Sequence, residues 1–171
     1  MDYHLFSPPD TFAHRNPNEW TERDASMYLS WLIGEMDDRI FFLTRYLGIP
    51  VSCNSENYSL AGSKVSQIMS ESSYFSTESG LNNYGYGLGA DLGLFVAKGL
   101  IECGKGKIIL NTLRKPQSDA SYNLPVLMGF GKLYFDPIGG SIAELSSVRR
   151  GREVSESWRR MFDFWKLKIP E

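Results

Sequence analysis

The sequence predicts an α+β fold, with four or five helices packed on a small, mainly antiparallel β-sheet. Apolar residues recur at helical spacing through residues 25–47 and again through 154–169. Between these stretches lie two apolar, partly β-branched runs, residues 108–113 and 126–135, of the kind that forms strands. Residues 1–19 carry Pro8, Pro9 and Pro17 and no apolar period. They are expected as an irregular arm lying on a single α+β domain of residues 20–171.

The first helix starts where Thr21 and Asp24 form a capping box, with Asp in the usual Glu place. Its apolar stripe is Ala25, Tyr28, Leu29, Leu32, Met36, Ile40, Leu43 and Leu47, and Gly48 and Pro50 stop it. Met27, Trp31, Phe41 and Phe42 fall outside that stripe, so burial against more than one neighbour is expected. A second helix is read from Glu56 to Met69 despite Gly62 and the serines around it. Residues 70–87, rich in Ser, Asn, Gly and Tyr, are expected as a long surface loop.

A third helix fits Leu88 to Cys103, ended by Gly104 and Gly106. The strand-like run Ile108–Leu113 is expected to pair with Val126–Phe135, whose glycines suggest a bulge or bend. The polar connection Pro116–Pro125 is too long for a tight hairpin turn. After Asp136-Pro137 a helix is expected from Ile138 to Arg149, closed by Gly151. In a last helix, capped by Ser155, Val154, Trp158, Met161, Phe162, Trp165 and Ile169 share one face.

Hydrophobic residues make up 42% and charged residues 22% of the 171, enough for a packed core and against global disorder. The 13% aromatic share points to a core of large rings or, next, to an aromatic contact surface. A formal net charge of −2 argues against a nucleic-acid partner held by many phosphate contacts. Cys53 and Cys103 form no metal-type pair and read as free thiols. The N-terminus does not read as a signal peptide, and no apolar stretch approaches 18 residues, so a cytoplasmic, membrane-free protein is expected.

Several motifs touch on chemistry. Gly85-Tyr86-Gly87-Leu88-Gly89-Ala90 satisfies the dinucleotide pattern, but a loop precedes it where a strand is needed, which favours a flexible lead-in to a helix. Gly99 to Gly106 nearly fits a phosphate loop, with Gly106 in place of the metal-binding hydroxyl and helix before strand. No cofactor and no metal are therefore expected. Asp91, Lys98 and Glu102 share a helix face and read as a surface ion-pair ladder, the two carboxylates lying about 16 Å apart along the axis. Glu35 and Arg39 read as an i,i+4 pair. His4 and His14 both lie in the arm, which leaves no core histidine to serve a nucleophile. Arg149, Arg150 and Arg152, with Arg159 and Arg160, form the densest basic cluster and read as solvated helix-end charges.

The most distinctive stretch is residues 115–131, a proline-bounded polar loop with Asp119, Tyr122 and Asn123 that leads into an apolar strand, as a recognition edge would. Together with Asp91–Ile101 and Phe135-Asp136-Pro137-Ile138, this stretch resembles uncharacterised small bacterial domains with the order helix, strand, Asp-x-x-Tyr-Asn-x-Pro-Val-Leu, strand, Pro. The likeness covers residues 20–168, with Ala97-Lys98 standing where many of those domains have Gly-Glu. Some of them look like immunity proteins encoded beside secreted toxins, which implies a toxin domain as partner.

The expected function is accordingly a non-enzymatic protein-binding module, plausibly an immunity protein that blocks a bacterial toxin. Asp119, Tyr122, Asn123, Asp91, Tyr84 and Tyr86 are its candidate partner-binding residues, with none assigned to catalysis. The alternative is a carboxylate-based or metal-assisted hydrolase or transferase drawing on Asp91, Glu102, Asp119 and Asp136, which requires two or more of them to meet in one cleft. A third possibility is an assembly subunit using the final Trp-rich helix.

Overall fold

The computed structural model describes residues 3–148 and 150–171. Among them the α+β expectation is met, with a three-stranded antiparallel sheet and six α-helices, the first a single turn. That turn, α1 (Asp10–Ala13), and a 3-10 turn at Pro17–Glu19 lie in the segment expected to be irregular. The arm is also not merely laid on the surface. Tyr3, Phe12 and Trp20 are buried; Phe12 packs edge-on with Trp20 and Tyr28, and Trp20 packs tilted on Tyr28.

Helix α2 (Glu22–Leu47) opens on the expected Thr21–Asp24 capping box and ends at Gly48 in the left-handed region. Asp24 takes hydrogen bonds from Arg15 and from Thr21, which hold its carboxyl down at about 2. Helix α3 (Ser55–Glu71) begins one residue earlier than expected, with Asn54 capping it. Gly62, which weakens the helical pattern, is a packing requirement: a Cβ there would meet the Ser155 carbonyl oxygen at 1.9 Å, where α6 (Ser157–Lys166) starts.

Helix α4 (Asn83–Gly104) is the centre of the molecule, with every residue from Gly87 to Ala97 buried. It starts five residues before the expected position, so the preceding loop is shorter and Tyr84 and Tyr86 are helical. Glycine-rich sequence has low helix propensity, and here packing overrides it. A Cβ at Gly93 would sit 2.5 Å from the Pro137 carbonyl, and one at Gly89 2.8 Å from Ile142, both on α5 (Pro137–Val148). Asn82 accepts from the Gly85 amide and caps the start. The Gly85-to-Ala90 pattern thus serves close contact between elements.

Strand β1 (Ile109–Thr112) pairs antiparallel with β2 (Pro125–Phe130), as expected, with Leu110 opposite Leu127. The single run expected over 126–135 is two strands. Gly129 (φ 113°) lies in a register shift, and the chain turns over Gly131 (φ 69°) and Lys132 into β3 (Leu133–Phe135), antiparallel to β2. Both φ values suit a residue without a side chain. The near-phosphate loop is the end of α4, where Lys105 is left-handed.

Helix α5 matches its expected start, with Asp136 accepting the Gly139 amide at 2.8 Å; the expected end at Arg149 lies outside the described residues. In α6 the capping position is Glu156 and no side-chain cap forms, while the Ser155 amide is taken by Glu153. Trp158 and Phe162 are buried as expected, and the Trp158 indole donates to Ser141 Oγ at 3.2 Å. No helix among the described residues is long and apolar enough to cross a membrane.

Candidate functional site

Asp91 comes from the middle of α4 and is fully buried, so it offers nothing to an external partner. Arg39 of α2 reaches it with Nε donating to Oδ1 at 2.9 Å and Nη2 to Oδ2 at 2.5 Å, and the Tyr3 hydroxyl donates to Oδ2. Arg39 Nη2 also donates to the His4 carbonyl at 2.8 Å, Nη1 contacts the Leu5 carbonyl, and the guanidinium lies over the Phe6 ring. Burial pushes the Asp91 carboxyl up against the pull of Arg39, and pushes the Tyr3 phenol well up. The group therefore staples the arm to α2 and α4. The expected Glu35–Arg39 pair and the three-membered ladder give way to this arrangement, while Lys98 bridges Asp37 at 3.0 Å and Glu102 at 3.9 Å.

The 115–131 stretch is tied down just as closely. Asn123, fully buried with φ 65°, donates to the carbonyls of Pro17 and Trp20 at 2.7 and 3.0 Å and accepts from Arg114. Tyr122 is buried under the Arg114 guanidinium. Asp119 accepts from the Tyr134 hydroxyl and from the Ser121 amide, and these bonds, the Tyr134 one foremost, hold its carboxyl low. Ser121 Oγ donates to Asp136, whose other oxygen caps α5. Asp119 and Asp136 thus both bind Ser121, but each carboxylate is occupied in holding the local chain. Asp91 and Glu102 lie elsewhere, on opposite parts of α4.

Of the remaining candidates, Tyr84 is half-buried against Tyr74, and Tyr86 is exposed. In the basic cluster, Arg159 is paired to Glu156 and Asp163, and Arg149 lies outside the described residues. No group of three His, Cys, Asp or Glu side chains that could hold a metal occurs among the described residues.

The clearest exposed feature is one the sequence reading treated as buried. The outer side of α2, opposite Leu32, Met36 and Leu43, leaves Met27 49%, Phe41 49% and Phe42 40% exposed. Met27, Gly34 and Phe41 are seven residues apart and therefore share a face, about 21 Å from end to end. Trp31, half-buried under Phe6, flanks them, and the exposed Asp37 and Asp38 lie at the same level.

Gly34 stands at the middle of this face, and a Cβ there would meet nothing within 4 Å. A glycine inside an exposed helix costs about 1 kcal/mol relative to Ala. Gly62, Gly89 and Gly93 offset that cost through close packing, and Gly34 has no such packing within the chain. The result is a gap in the helix surface bordered by Ser30, Trp31, Asp37 and Asp38, with Met27 and Phe41 two turns away on either side. The signal in the sequence was the unusually wide apolar arc of this helix.

Compared with models of known families, with curated proteins and with solved structures, the chain gives no match.

Proposed function

We propose that this chain is a non-enzymatic protein-binding module and that it docks its partner on the outer face of α2. The observation that carries the reading is Gly34, an exposed mid-helix glycine beside Trp31 and two turns from Met27 and Phe41, whose missing side chain no packing among the described residues requires. A notch beside an apolar side chain is a shape that receives an anchoring side chain at an interface centre. Asp38 at its side favours a partner that brings Lys or Arg beside such an anchor, while Asp37 is bridged by Lys98.

In its finer form, the reading makes the partner a bacterial toxin domain that this chain blocks. The resemblance to immunity-like bacterial domains and the net charge of −2 support it, since an acidic blocker suits a basic toxin surface. The test is affinity capture by the wild-type chain, by Gly34→Arg, which fills the notch with a cation, and by Asp119→Ala as a change away from this face. One stoichiometric partner retained by Asp119→Ala and lost by Gly34→Arg supports docking on α2; equal recovery by all three overturns it. For the finer form, the captured partner expressed alone arrests growth, co-expression of the wild-type chain relieves the arrest, and Gly34→Arg does not.

A further inference from the structure

Between the N-terminal arm and the helices α4 and α5 runs a cleft of about 610 Å³, well within the size range of small-molecule sites. Phe6 and Pro8 of the arm, Tyr28 of α2, Gly87 of α4 and Ile138 and Ile142 of α5 line it. The arm side is fixed in place. Arg39 holds the carbonyls of His4 and Leu5, and Phe6 lies so close to α4 that a Cβ at Gly87 would be 3.2 Å from its own. A ligand entering here meets a preformed surface and pays little ordering entropy.

Tyr28 supplies one polar group of the lining, beside Ser7, Asn83 and Tyr86. Its ring is wedged among Phe12, Trp20 and Trp31, and the residue is only 9% exposed. Its hydroxyl makes no hydrogen bond to any described residue and is not closed off from solvent; the one fully buried side-chain polar atom without a partner among the described residues is Trp20 Nε1. Burial first, and the nearby Asp136 charge second, push this phenol up to about 12, so it remains a donor at neutral pH. Asp10 and His14, which also line the cleft, are both exposed.

We propose that the cleft binds a small uncharged aromatic molecule carrying one hydrogen-bond acceptor, with its ring between Phe6 and Ile142 and its acceptor on the Tyr28 hydroxyl. This site is separate from the α2 docking face and stands whether or not that face binds a protein.

Acetophenone, which carries a carbonyl acceptor, and ethylbenzene, which lacks one, are the paired probes. Each is titrated into the full chain, and amide shifts are followed at Gly87, Ala90 and Ile142. Acetophenone shifts these amides saturably, and Tyr28→Phe weakens it by about 3- to 10-fold, the effect of one hydrogen bond. Ethylbenzene binds wild type and Tyr28→Phe alike. Because the hydroxyl has no partner among the described residues, Tyr28→Phe folds as the wild type does, which its unperturbed distant amides verify. Absence of saturable shifts at the cleft, or equal acetophenone affinity for the two proteins, overturns the proposal.

Discussion

Replacing Asp91 by Ala leaves the Arg39 guanidinium in a site closed to water, with only the arm carbonyls of His4 and Leu5 still in reach. Removing one member of a buried ion pair costs about 3–5 kcal/mol, mostly as the penalty of the orphaned charge. A domain of this kind has about 5–15 kcal/mol in total, so the variant loses a large share of its stability. In urea unfolding followed by tryptophan fluorescence, the midpoint falls by roughly 1–3 M. The double change Asp91→Leu with Arg39→Met removes both charges and recovers most of the loss, because apolar replacements of a buried pair are often neutral. Tyr3→Phe, which removes one hydrogen bond and leaves the pair, costs about 1 kcal/mol. The reasoning is refuted if Asp91→Ala stays within 1 kcal/mol of wild type, or if the double variant is no better than the single one.

Two glycines on neighbouring helices predict opposite outcomes in the same assay. Gly93→Ala drives a Cβ into the Pro137 carbonyl and destabilises by about 1–3 kcal/mol, whereas Gly34→Ala stabilises by about 1 kcal/mol. The Asp24 carboxyl, held at about 2 in the folded chain against 3.8 when free, stabilises the fold fully above about pH 4. That contribution fades as pH falls toward 2, and thermal melts of Asp24→Asn over this range show a flatter decline than wild type. Burial pushes the Cys53 thiol from 9.0 up to about 11, so in a Cys103→Ser background it reacts with iodoacetamide at pH 8 about a hundredfold more slowly than an exposed thiol. A rate close to that of free cysteine contradicts the burial of this thiol.

The parts of the fold that could be read from sequence were those whose local pattern and tertiary role agree. The Thr21 capping box, the α2 stripe, the pairing of β1 with β2 and the buried face of α6 all belong to that class. The start of α4 did not, because the glycines that argue locally against a helix are there for the approach of Phe6, Ile142 and Pro137. Nor did the β2–β3 turn, where Gly131 breaks a run that otherwise reads as one strand.

The site was less legible for a related reason. Asp91 seemed to face solvent with Lys98 and Glu102, but its partner Arg39 lies 52 residues away and no local spacing reveals it. Asp119, Tyr122 and Asn123 carry the turn chemistry of a recognition loop, and the structure uses them to bind Ser121, Arg114 and the carbonyls that precede α2. The wide apolar arc of α2 was visible, but a sequence cannot say that Met27, Gly34 and Phe41 are left uncovered by the other described residues.

The most direct measurement of the central claim is site-specific photocrosslinking in cells, with a photoreactive phenylalanine placed at Asp38 beside the notch or at Lys64 on the exposed side of α3. Docking on α2 predicts that position 38 traps one polypeptide in high yield, that Gly34→Arg abolishes the adduct, and that position 64 traps nothing comparable. The same polypeptide trapped from position 64 and not from 38 would contradict it.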